Sequence, residues 1–166
     1  MMAGVNADPG RVAEFARANG QALLRFAYLL TGGRGAEAED LVQGVLATLV
    51  ERGLNGIADP LAYARRAVVN AHRSQARRGI AERAALPRLV ERDPGPDRRS
   101  EDRAVILPAL EALSPDERAV VILRYYADLP DEEIAAVLGC ARATVRSHAH
   151  RAMTKLRREL GEDERN

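Results

Sequence analysis

Apolar residues recur at helical spacing along most of the chain, and no stretch makes a convincing strand. Phe15, Ala18, Ala22, Phe26 and Leu29 share one face of a helix expected from about residue 12 to residue 30, stopped by the glycines of TGGRG at 31–35. Residues 1–10 read as a frayed terminus. Leu41, Val45 and Leu49, widened by Val42, Leu46 and Val50, form the inner stripe of a second helix over about 36–52. Its first turn carries Glu37, Glu39 and Asp40, where the helix dipole favours acids, and its outer side is left to Asp40, Gln43, Gly44 and Ala47. After the loop GLNGIAD, Asp59 as cap and Pro60 at the first position open a third helix that the pattern carries to about residue 78. Its apolar face is Leu61, Ala64, Val68 and Ala71; opposite it, Arg66, Asn70, Arg73 and Arg77 fall at i, i+4, i+7 and i+11.

Pro87, Pro94, Gly95 and Pro96 among interleaved charges give residues 81–103 the composition of a flexible linker, within which LPRLV could dock or form a helical turn. The expected architecture is all-α: two small helical domains, 11–80 and 104–160, joined by that linker. The second opens with a helix over 104–113, followed by a second start at Ser114-Pro115, where Ser114 and Glu117 make a capping box. VVILRYY at 120–126 has a strand-like β-branched content, but the upstream cap favours helix. Residues 129–156 then read as two helices around Gly139, with Ile134, Ala135 and Leu138 inward on the first and Val145, Ala149, Ala152 and Leu156 inward on the second. Arg142, Thr144, Arg146, Ser147, His150 and Arg151 point away from that stripe, and these residue types contact phosphates and base edges in a major groove.

A length of 166 residues with 46% hydrophobic content supports packed cores and argues against disorder. The net charge of +1 taken alone argues against a nucleic-acid binder, but its distribution reverses that impression. Residues 60–83 hold six Arg against one Glu, and residues 134–158 hold five Arg and one Lys against no acid. Each basic helix follows an acidic stretch, with five acids against two Arg over 31–59 and seven against two over 104–133. The single Cys140 can form no internal disulfide and reads as a small apolar turn residue, which fits a reducing compartment. No apolar run is long enough to span a bilayer and no signal-peptide core opens the chain, so a cytoplasmic protein without membrane contact is expected.

No nucleophile–base pair, phosphate-binding glycine loop or metal cluster is present, so neither an enzyme nor a cofactor is expected. TGGRG follows a helix and not a strand; His148 and His150 do not share a helix face; His72 reads as a surface residue. A lone helix-turn-helix offers few base contacts, so selectivity requires a dimer, a second reading module or a larger partner. The basic stripe of the third helix is a candidate second module.

Three segments together resemble the extracytoplasmic-function (group 4) sigma factors of bacterial RNA polymerase, within the sigma-70 family and closest to its actinobacterial branch. They are AEDLVQGVLATL at 38–49, DPLAYARRAVVNAHRSQARR at 59–78 and LSPDERAVVILRYYADLPDEEIAAVLGCARATVRSHAHRAMTKLR at 113–157. The resemblance implies a transcription initiation factor whose partners are core RNA polymerase and promoter DNA. It places polymerase contacts on Asp40, Gln43, Gly44 and Ala47. It places minus-10 reading on Asn70 with Arg66, Arg73 and Arg77, helped by the loop residues Leu54, Asn55 and Ile57. Minus-35 reading falls to Arg142, Thr144, Arg146, Ser147, His150 and Arg151. Many relatives are held by an anti-sigma partner, so the resemblance admits one.

The chain departs from that pattern at several positions. Gly44 stands where a glutamate usually follows the Gln, Pro130 and Ala141 where serine caps are common, and His148 where a basic residue is common. With few aromatics, Tyr63 is the one nearby candidate for stacking an unpaired base. Two other readings stay open: a helix-turn-helix regulator that acts without polymerase, and a degenerate sigma-like interaction protein.

Overall fold

The computed structural model describes residues 8–83 and 101–161, and three of its helices open on side-chain caps, at Asp8, Asp59 and Ser114. Helix α1, Pro9–Leu30, starts earlier than its apolar stripe suggests, because the Asp8 carboxylate accepts from the Gly10 N–H at 3.0 Å and Pro9 occupies the first turn. This Asp-Pro start corrects the frayed end expected up to residue 10. The helix ends through Gly32 and Gly33 at φ 70° and 91°, and a Cβ on Gly32 would meet Arg118 Nη1 at 3.2 Å. Helix α2, Gly35–Arg52, has no side-chain cap; the Arg34 guanidinium instead holds Glu37 at 2.8 Å. Helix α3, Pro60–Arg83, is capped by the Asp59 carboxylate, which accepts from the Ala62 N–H at 3.0 Å, and it continues beyond the expected end.

The second half contains α4 (Glu101–Glu111), α5 (Pro115–Val121), α6 (Asp131–Leu138) and α7 (Arg142–Glu159). The capping box forms as expected: Glu117 N–H donates to Ser114 Oγ, and Ser114 N–H donates to the Glu117 carboxylate at 3.0 Å. VVILRYY is helical, with a π-helical turn over Ile122–Tyr126 extending α5. Gly139 takes the left-handed conformation (φ 65°) that ends α6 and lets α7 double back, and neither Pro130 nor Ala141 supplies a side-chain cap. The acids Asp131, Glu132 and Glu133 in the first turn of α6 offset part of that loss through the helix dipole. The linker composition around Pro87, Pro94, Gly95 and Pro96, and the LPRLV run, lie outside the described residues, as does most of the expected frayed terminus.

Leu23, Phe26, Leu30, Leu41, Leu49, Val68 and Val69 are fully buried among α1, α2 and α3. Val120, Leu123, Ile134 and Val145 do the same where α5, α6 and α7 meet. These two sets belong to one continuous apolar cluster, and Phe26 meets Tyr126 across it with ring centroids 6.3 Å apart. Arg118, 6% exposed, donates to the carbonyls of Leu110 (2.8 Å), Glu111 (3.3 Å) and Leu113 (3.1 Å), and across the halves to that of Leu30 (3.2 Å). One guanidinium thus serves the carboxyl ends of both α4 and α1, whose last carbonyls have no partner within their own helix.

Gly44 sits inside α2 on its exposed side, and a Cβ built there meets nothing within 4 Å. Gly44→Ala should therefore stabilise the chain by about 1 kcal/mol through helix propensity alone, read as a higher urea midpoint at unchanged m-value. A loss of stability would show that this glycine has a packing role.

Candidate nucleic-acid interface

Helix α7 buries Val145, Ala149 and Ala152 against α5 and α6, which turns its other side outward. Arg142, Thr144, Arg146, Ser147, His150 and Arg151 are all exposed on that side, six residues brought together by one helix. Their charges are held locally by acids of the same half. Arg142 lies 2.8 Å from Glu132, Arg146 3.7 Å from Asp131, and Arg151 3.6 Å from Glu117. Arg151 also meets His148 Nδ1 at 3.0 Å. Of these, the Arg142–Glu132 pair is exposed on both sides (52% and 70%) and contributes only about 0–1 kcal/mol.

Two further groups set the platform beneath this face. Glu117, 4% exposed, receives Lys155 Nζ at 2.7 Å in addition to the Ser114 N–H, which ties α7 to the start of α5. Burial pushes its carboxyl up, but the hydrogen bonds from Lys155 and Ser114 outweigh that and leave it below the usual glutamate range. Asp131 accepts from Arg124 Nε at 3.0 Å, and that bond raises the arginine above its usual value.

The α3 stripe is less uniform. Asn70 and Arg77 are exposed. Arg66, 48% exposed, lies 3.8 Å from Glu133 of α6. Arg73 is drawn down: its Nε donates to Asp116 Oδ1 at 3.0 Å and its Nη1 to the Leu138 carbonyl at 2.8 Å. In the preceding loop Leu54 is buried and Ile57 packs half-buried against the core, leaving Asn55 as the outward side chain, with its Oδ1 accepting from Arg11 at 3.1 Å. Tyr63 carries the Arg52 guanidinium 4.9 Å from its ring centroid, so one ring face is already covered.

On α2, Asp40, Gln43, Gly44 and Ala47 are exposed together as the outer face. Beside them a groove of about 290 Å³ runs between α2 and α3, bordered by Asp40, Gly44, Thr48 and Ala67. Among the described residues no group of His, Cys, Asp or Glu could hold a metal ion, and no helix is long and apolar enough to cross a membrane.

His72 is 2% exposed and not a surface residue; its Nδ1 lies 3.1 Å from Glu37 Oε1, while its Nε2 is buried without a hydrogen-bond partner. Cys140 is half-buried. The acids Asp116 and Glu133 reach the α3 stripe from the other half, and only tertiary packing reveals that pairing.

Residues 103–156 match the family described as Sigma-70, region 4. Over 153 residues the chain is 37% identical to an RNA polymerase sigma-E factor of Streptomyces avermitilis, covering 89% of this chain and 83% of that protein. An RNA polymerase sigma-E factor of Streptomyces coelicolor is 36% identical over the same share of this chain, 89%, and 84% of its own length. Among solved structures, the sigma factor RpoE of Bartonella quintana, in complex with the anti-sigma factor NepR, superposes with a TM-score of 0.72 at 27% identity, covering 90% of this chain and 96% of that one. CnrH, solved with the cytosolic domain of CnrY, shares the fold at a TM-score of 0.64 and 22% identity, over 96% of this chain and 93% of that one.

Proposed function

This chain belongs to the extracytoplasmic-function sigma factors of RNA polymerase, and we propose that it divides their task between two lobes along the lines of its exposed faces. As a member of that family it binds core RNA polymerase and directs it to promoters, reading DNA without itself catalysing a reaction. Residues 11–80 are the polymerase-binding and minus-10 lobe, and residues 104–160 are the minus-35 lobe. Working with core polymerase places the protein in the cytoplasm. An anti-sigma partner fits the same picture, since the related RpoE was solved bound to one.

The observation that carries the assignment is the single outward face of α7, where six polar and basic residues stand clear of the buried Val145, Ala149 and Ala152. A helix presenting that face enters a major groove, with Arg142, Arg146 and Arg151 able to take guanine edges or phosphates, and Thr144, Ser147 and His150 completing the contact. Asn70 is the base-reading candidate of α3, flanked by Arg66, Arg73 and Arg77 on the DNA backbone, with Asn55 offered from the loop and Leu54 and Ile57 shaping it from below. Asp40, Gln43, Gly44 and Ala47 form the polymerase-facing side of α2. The absent glutamate at Gly44 removes one charged contact there.

Run-off transcription with purified core polymerase, followed by sequencing of the start sites, tests the reading. Discrete starts that depend on the chain support it; tight, specific DNA binding by the full chain with no transcripts would indicate a polymerase-independent regulator. Within that assay Asn70→Ala should weaken use of the minus-10 element by about 1–3 kcal/mol while core-polymerase binding holds. Equal loss of polymerase binding would remove Asn70 from the DNA-reading role.

A further inference from the structure

We propose that Arg11 of α1 is a positioning residue for the loop between α2 and α3: its guanidinium holds the Asn55 side-chain amide in one orientation, so that α1 takes part in base selection without touching a base. The inference rests on the reading role given above to Asn55. Leu54 is 7% exposed, Ile57 packs against the core, and the Ile57 N–H donates to the Leu54 carbonyl at 3.2 Å. Residues 54–57 therefore make a tight turn, with Gly56 at φ 77° in its second central position, a conformation that glycine adopts at little cost. The backbone of the loop tip is fixed from beneath, and Asn55 stands exposed at the corner. What this packing leaves open is the orientation of the Asn55 amide about its own side-chain bonds.

Arg11 sets that orientation from α1. Its Nη1 donates to Asn55 Oδ1 at 3.1 Å, between residues 44 positions apart in the chain. A guanidinium can only donate, so it selects the oxygen of the amide and turns the Nδ2 end away from itself. The arginine is in turn held in place by its neighbours. The Asp8 carboxylate accepts from the N–H groups of Gly10 at 3.0 Å and of Arg11 at 3.4 Å, and Val12, the next residue, is 2% exposed in the core. The Asp8-Pro9 cap thus fixes where Arg11 stands as well as where α1 starts. Arg11 and Asn55 are both exposed, where water competes for each group, so the consequence of the pair lies in orientation more than in stability. A hydrogen-bonding group held ready before a base arrives discriminates more sharply than one that must be ordered on contact.

The test has one arm without DNA and one with polymerase. In the first, NMR relaxation of the Asn55 side-chain amide is measured in the full chain alone. The amide should be rigid in the wild type and mobile in Arg11→Ala, and Arg11→Lys should recover part of the order. In the second, a promoter located by start-site sequencing is made into a pool varied at every base of its minus-10 element, and core polymerase with each variant transcribes the pool in one reaction. Base preference is a ratio between templates, so a variant that is merely less stable leaves it unchanged. Where Asn55→Ala flattens the preference by about tenfold, Arg11→Ala should flatten it by about threefold, and the double variant should lose no more than Asn55→Ala. Arg17→Ala, which removes the same charge from an exposed site farther along α1, should leave the preference as it is. An amide equally ordered in Arg11→Ala overturns the proposal. So do losses that multiply in the double variant, as they would if Arg11 bound a phosphate on its own, and so does a wild type whose preference Asn55→Ala does not alter. An absence of discrete starts, with the amide still dependent on Arg11, would overturn the role in base selection and trace that failure to the sigma-factor reading.

Discussion

Arg118→Ala should lower stability by about 3–5 kcal/mol. The guanidinium is 6% exposed and donates to four backbone carbonyls, those of Leu30, Leu110, Glu111 and Leu113. Truncation leaves these acceptors near the carboxyl ends of α1 and α4 with poor access to water, and it opens a space behind Gly32, whose backbone approaches the guanidinium closely. For a chain of this size the loss corresponds to a fall in Tm of roughly 8–15 °C, measurable by thermal denaturation. Arg158→Ala, on the exposed side of α7, should stay within about 0.5 kcal/mol and serves as the reference. An Arg118→Ala loss below about 1 kcal/mol would mean that the carbonyls find other partners.

Glu117→Gln should cost about 2 kcal/mol at neutral pH, and the cost should fade in acid. The amide can still complete the capping box with Ser114, but it cannot pair as an anion with Lys155 and Arg151. Because the folded state holds this carboxyl below its ordinary value, the unfolded chain takes up its proton first as pH falls. The contribution is therefore fully present above about pH 4.3, the ordinary glutamate value, and is lost as pH drops through the lower folded value. Urea midpoints of both proteins from pH 7 to pH 3 should converge at the acid end. A gap that persists unchanged would show that packing, and not charge, makes Glu117 important.

Local chemistry was the most legible part of this fold. The Ser114 capping box, the Asp59-Pro60 start, the Gly139 turn and the inward stripes of α2 and α7 depend on residues within a few positions of one another, so spacing alone reveals them. The same Asp-Pro signal stands at Asp8-Pro9, inside the stretch that reads as a frayed terminus, and the structure uses it as a cap. Outward faces followed from inward ones, which is why the α7 cluster and the α2 face emerge as expected surfaces. What sequence did not disclose is long-range pairing. His72 follows the buried Val68 and Val69 by four and three positions, so helical spacing itself sets it on their inner face; its partner Glu37, from α2, comes only with the fold. Arg73 and Arg66 are predicted as one uniform stripe, and they differ because α5 and α6 approach the α3 row at two separate points. Leu54 likewise becomes a core residue through tertiary packing that no local pattern encodes.

The boundaries of α3 and α4 also set a tether. Eighteen peptide units separate Arg83 from Glu101, and fully stretched they reach at most about 60 Å. That is the length of roughly 18 base pairs of B-form duplex. Under the proposed division of two promoter elements between the lobes, each residue removed between these helices takes about 3.4 Å, one base pair of duplex, off their greatest separation.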